Sequence, residues 1–190
     1  MSAVVRPSTG GFIRPFGCGW FIREFLLGHG PESSPKVDPD RGSPQADIKY
    51  QYKEALYRAI ARDRAEREIS DLVNEGVDVT SERAAEIERK HFRRIPFKMT
   101  HMRYHSFTSY FHKLIKLGWV EFTGEEEPSE IQDNYPPAPS RRYYRLTEKG
   151  KKAPDWEWSN PLITLYPQFS LEEYYRDQRA KRKAKQRGED

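Results

Sequence analysis

The chain has 190 residues, 36% of them hydrophobic and 33% charged, with a net charge of +4. That balance allows one modest core, rich in aromatics, with polar helices and tails around it, and excludes a polycation that would bind nucleic acid by charge alone. A single cysteine, Cys18, excludes an intramolecular disulfide and suits a reducing compartment, and no apolar run approaches the ~20 residues of a membrane span.

Residues 1–19 hold Pro7, Gly10, Gly11, Pro15, Gly17 and Gly19 and read as an irregular N-terminal arm with the apolar anchors Phe12, Ile13 and Phe16. Arginines, glycines and prolines interrupt any secretion signal there, so a cytoplasmic protein without a membrane partner is expected. Trp20 to Leu27 predict a short helix that buries Phe21, Ile22, Phe25 and Leu26. Residues 30–46, with Pro31, Pro35, Pro39 and Pro44 among serines, glycines and charges, have the composition of a linker. From Asp47, a plausible N-cap, the residues Ile48, Tyr52, Leu56, Ile60, Ile69, Leu72 and Val73 keep a helical repeat up to a stop at Gly76. The helix so predicted is roughly 28 residues and about 40 Å long. That exceeds the needs of a small domain, so part of its stripe is available to a second chain or a partner.

A turn at 77–80 leads to a further helix capped by Thr80 or Ser81, which carries Ala84, Ala85, Ile87 and Phe92 and ends before Pro96. Lys90, His91, Arg93, Arg94 and Lys98 make its end basic. Then Phe107, Tyr110, Phe111, Leu114 and Leu117 recur at steps of three and four, one face of a helix stopped by Gly118. Trp119, Val120 and Phe122 predict a strand, and Tyr143, Tyr144 and Leu146 its partner, across a wing loop at 123–140.

These residues carry a resemblance. Leu114-Ile115-Lys116-Leu117-Gly118-Trp119-Val120, followed by Arg142-Tyr143-Tyr144-Arg145-Leu146-Thr147-Glu148-Lys149-Gly150, resembles the winged helix-turn-helix family, in particular PadR- and MarR-like transcriptional regulators. The match spans about a quarter of the chain. It implies a mainly α fold with a small β-hairpin over residues 20–153, enlarged by the long extra helix, the N-terminal arm and a C-terminal extension at 154–190. The helix that ends before Pro96 would then be the positioning helix, residues 97–103 the turn, and the helix around 104–117, or one starting earlier near Thr100, the recognition helix, placed in the major groove of double-stranded DNA. The linker at 30–46 and the turn at 97–103 are both longer than in compact regulators.

The residue types on the outer face of that helix suit such a role. Arg103 can fork onto guanine, Ser106, Thr108 and Ser109 can meet phosphate or base, and His105, His112, Lys113 and Lys116 add donors, with His101 just before them. Six acids between 121 and 140 argue against a wing inserted beside phosphates, although Arg141, Arg142 and Arg145 at the loop's return can reach the backbone. Enzyme templates are missing: there is no phosphate loop, no dinucleotide fingerprint and no nucleophile elbow, and Cys18 has no partner base in sequence. His101 and His105 are four apart, but Met102, Arg103 and Tyr104 between them bring no carboxylate, so no metal and no cofactor are expected.

The last segment pairs an aromatic run, Trp156 to Phe169, with a helix capped by Ser170 and a basic stretch from Arg176 to Arg187. The run is expected to pack on the domain or on another subunit. A DNA-binding regulator is the leading expectation, nucleoid-associated within the cytoplasm, with a homodimer through residues 47–75 and the C-terminal extension. A winged-helix interaction or nucleoprotein-assembly subunit, with a protein partner at the acidic loop or aromatic segment, is the alternative. RNA binding by the basic tail is a third.

Overall fold

The computed structural model describes residues 14–31, 34–128, 140–168, 175–176 and 178–183. The elements run α1 (Cys18–Leu26), β1 (Ser43–Pro44), α2 (Gln45–Asn74), α3 (Ser81–Arg93), α4 (Phe97–Thr100) and α5 (Tyr104–Lys116). They continue through β2 (Val120–Glu127), β3 (Arg141–Leu146), α6 (Glu148–Lys152), α7 (Asp155–Ser159) and α8 (Pro161–Leu165). The chain is therefore mainly helical with a small antiparallel sheet. None of the described helices is long and apolar enough to cross a membrane.

The core forms where three amphipathic faces meet. Phe21, Ile22, Phe25 and Leu26 of α1 are buried against Ile48, Tyr52, Ala55 and Leu56 of α2 and Phe107, Phe111 and Leu114 of α5. Each such side chain contributes roughly 1.5–3 kcal/mol on leaving water, and rings such as Phe21 and Tyr52, 5.3 Å apart, add edge and face complementarity. The aromatic C-terminal run closes this core. Trp158 lies 4.9 Å from Trp119, donates through Nε1 to the Gly150 carbonyl at 3.1 Å, and accepts at its own carbonyl from the Tyr110 hydroxyl at 2.5 Å.

The sheet has three strands in the order β1-β3-β2. The expected hairpin is present, with Val120 opposite Leu146 and Phe122 opposite Tyr144, and it extends further than expected, to Glu127 opposite Arg141. Glu125, Glu126 and Glu127 are thus strand residues, not loop residues. Of the expected wing loop, residues 129–139 lie outside the described residues. The third strand was hidden inside the proline-rich linker, where Ser43 and Pro44 pair with Tyr144 and Tyr143. Proline is tolerated there because β1 is an edge strand.

The long helix starts at Gln45 behind Pro44 as N-cap, rather than at Asp47. Asp47 instead sits in the first turn, where the helix dipole favours an acid, and its carboxylate pairs with Arg141. Its end at Gly76 (φ +80°), the α5 stop at Gly118 (φ +69°) and the Thr80 cap, which accepts from the Arg83 amide at 3.3 Å, are as the sequence predicts.

Ile87 is the only buried residue of α3, whereas the first half of α2 shares the main core with α5. The second half of α2 leaves the core and pairs with α3 as a charged hairpin, through Glu68 to Lys90 at 2.8 Å and to His91 at 2.7 Å. Its base is a second small cluster of Ile60, Ala61 and Ile95, flanked by Tyr57 and Met99. The surplus length of α2 is accounted for largely within the chain. The expected Ser170 cap and residues 1–13 of the arm fall outside the described residues, whereas Arg176, Arg179, Arg182 and Lys183 are exposed on short helical stretches.

Candidate nucleic-acid interface

α5 is built from two unlike faces. Phe107, Phe111 and Leu114 have no solvent exposure, which fixes the helix rotationally and turns Arg103, His105, Ser106, Ser109, His112 and Lys116 to the surface. Thr108 and Lys113, expected on the same face, are half-buried. The Thr108 hydroxyl oxygen is buried without a partner, which makes it a poor candidate for contact with a ligand, while its carbonyl accepts from His112 Nδ1 at 3.0 Å. Lys113 donates to Ser109 Oγ at 3.2 Å, and partial burial, with Lys116 nearby, lowers its pKa.

Arg103 is the N-cap of α5 and makes no side-chain capping bond, and no acid lies in the first turn. The amides at the positive end of the helix dipole are left without a side-chain acceptor, beside a guanidinium. Among the described residues no ion pair engages Arg103, Lys113 or Lys116, nor Lys49, Lys53 or Lys98 on the neighbouring elements.

The arginines of the hairpin are differently placed. Arg145 pairs with Glu121 at 2.9 Å, Arg142 with Glu126 at 2.8 Å, and Arg141 with Asp47. The first two are directly opposed cross-strand pairs, so the acids of β2 and the bases of β3 cancel one another. Arg41, from the segment before β1, adds contacts to Glu125 at 2.6 Å and Glu127 at 2.7 Å and lies 4.4 Å over the Tyr143 ring. Hydrogen bonds from Ser140 and then the charge of Arg142 hold the Glu126 carboxyl below its ordinary range. The described arginines of the hairpin are paired with acids, whereas the cations of the α5 face have no ion pair among the described residues.

Some surface residues beside α5 were not singled out from sequence. Lys49 and Lys53, one turn apart on α2, approach the Tyr104 ring at 5.2 Å and the Phe97 ring at 5.8 Å. A signal for this region exists in the sequence: from Arg89 to Val120 there are eight lysines and arginines and four histidines, and no acid. Among the described residues no group of three or more histidines, cysteines and carboxylates is placed to hold a metal ion. No family model matches the chain, and no curated protein or solved structure matches it either.

Proposed function

We propose that this protein binds duplex DNA as a winged-helix transcriptional regulator of the PadR- or MarR-like kind, with α5 as its recognition helix. The observation that carries the reading is the contrast within α5: one face is wholly buried, and the other presents Arg103 and Lys116 with no acidic partner among the described residues. Unpaired cations on a rigidly held helix neutralise phosphates without first breaking internal contacts. The order of α1, β1, α2, α5, β2 and β3, with a β1-β3-β2 sheet, supports a winged helix into which the α2–α3 hairpin is inserted. In this reading Arg103 reads base edges, His105, Ser106 and Ser109 assist, and Lys113 and Lys116 neutralise backbone. The wing arginines contribute little until their pairs open. A two-fold dimer would present two such helices to paired half-sites.

A salt titration of duplex binding tests it. Arg103→Ala with Lys113→Ala should weaken binding and reduce the slope of log affinity against log salt by about 2. An unchanged slope and affinity would overturn the assignment.

One observation favours a second reading, a protein-docking or nucleoprotein-assembly subunit. Trp156 is 60% exposed beside Ile163 on the α7–α8 surface, a more apolar patch than a lone regulator needs. Light scattering on the purified chain separates the two. A stable dimer that binds DNA supports the regulator, and a monomer without DNA affinity supports the subunit.

A further inference from the structure

At the elbow where α4 gives way to α5, two aromatic rings stand out into solvent. Phe97 is 58% exposed and Tyr104 is 59% exposed. Phe97 opens α4 behind Pro96, and its ring lies 4.5 Å from that of His101. The His101 carbonyl accepts from Arg14 at 3.0 Å, so this turn is held from the N-terminal side as well. Tyr104 opens α5, with the His105 ring 6.0 Å away.

The surroundings are cationic. Lys53 stands 5.8 Å from the Phe97 ring and Lys49 stands 5.2 Å from the Tyr104 ring, while Lys98 follows Phe97 and Arg103 precedes Tyr104 in the chain. Lys49 and Lys53 are separated by one turn of α2, ~6 Å between their Cβ atoms. The rings they flank therefore stand as two separate platforms on one surface, not as a stacked pair.

An apolar protein partner would be poorly served by rings flanked by these positive charges. The charge selects a polyanion, and the rings require one with exposed π faces. A duplex hides its base faces in its own stack at the ~3.4 Å step of each strand, so only unpaired nucleotides offer both features. We infer that the α4–α5 elbow is a binding site for unpaired nucleotides, with bases stacking on Phe97 and Tyr104 and the backbone following Lys49, Lys53, Lys98 and Arg103. The site lies beside the outer face of α5 and does not require that face to enter a groove. A target with a duplex next to an unpaired stretch engages both surfaces.

Fluorescence anisotropy with the full chain tests this. The probes are a blunt twenty-base-pair duplex, the same duplex with a six-thymidine overhang of either polarity, and oligo(dT) and oligo(rU). An overhang should raise affinity roughly tenfold or more over the blunt duplex. Phe97→Ala and Tyr104→Ala should each remove most of that gain without changing blunt-duplex binding, and Tyr104→Phe should keep it. Phe97→Leu keeps apolar bulk without a π face and should lose the gain. Equal affinity for blunt and overhung duplexes, or a gain that survives Phe97→Ala with Tyr104→Ala or survives Phe97→Leu, overturns the site. Both rings are exposed, so a circular dichroism melt at the wild-type midpoint accompanies each variant. Binding of oligo(dT) or oligo(rU) that depends on these rings, without duplex binding, sustains the site and sinks the duplex reading. Duplex binding with no advantage from unpaired bases does the reverse. The ratio of oligo(dT) to oligo(rU) affinity tells DNA from RNA.

Discussion

At the scale of single residues the fold depends on close approaches that tolerate no extra atom. A Cβ at Gly150 would lie 2.2 Å from the Trp119 carbonyl oxygen, a backbone atom that cannot step aside. Gly150→Ala should therefore lower stability in urea by about 1–3 kcal/mol, although alanine is the better helix former. An unchanged midpoint would show that α6 does not need this contact. Acidity follows burial in the same region. Burial pushes the Cys18 thiol up to about 12, and burial together with Cys18 pushes the Tyr52 hydroxyl up to about 12, from ordinary values of 9.0 and 10.0. Both groups are neutral in the fold and release protons more readily once unfolded. Their stabilisation is complete below about pH 9 and is lost as pH rises through 12. The melting temperature should fall across that window, and Tyr52→Phe should make the fall shallower.

At the scale of elements, α5 and the hairpin handle charge in opposite ways. Ion pairs on exposed strands are screened by solvent and cost side-chain entropy, so Glu121 and Glu126 contribute little to stability. Their larger effect is to occupy Arg145 and Arg142. Glu121→Gln with Glu126→Gln should leave the melting temperature within a degree or two of wild type. It should also strengthen duplex binding and steepen its salt dependence by up to about 2, one phosphate for each released arginine. An unchanged affinity and salt slope would mean that the hairpin stays away from the nucleic acid.

The scale of the whole molecule is set by the division of α2 between two environments. Its first half carries Ile48, Tyr52, Ala55 and Leu56 into the main core, whereas Val73 near its end is largely exposed and α3 beside it buries only Ile87 fully. Few buried apolar contacts mean a low local opening free energy. Amides of residues 66–93 should exchange with solvent well before those of residues 48–56 and 107–114. Uniform protection along α2 would mean that a second chain, or another part of this one, covers the hairpin. Both oligomeric state and hairpin cover are therefore read from one exchange experiment and one light-scattering measurement.

The spacing of Phe107, Phe111 and Leu114, the glycine stops at 76 and 118 and the Thr80 cap were legible in the chain, because helix periodicity and capping depend on neighbours within a few residues. The strand character of Trp119–Phe122 and Tyr143–Leu146 was legible for the same local reason. Three features required distant partners. Ser43 and Pro44 became a strand only because Tyr143 and Tyr144 offered an open edge, and nothing in a proline-rich linker announces that. The place of α3 was the second: its stripe is weak, and the main core is filled by larger side chains of α1, α2 and α5. The fate of each charge was the third: Arg142 and Lys116 look equivalent in sequence, and only the register of β2 against β3 gives one an acid while leaving the other without one. Local pattern thus specified the elements and the two faces of α5. Long-range packing decided which elements share the main core and which of the described cations have an acid beside them.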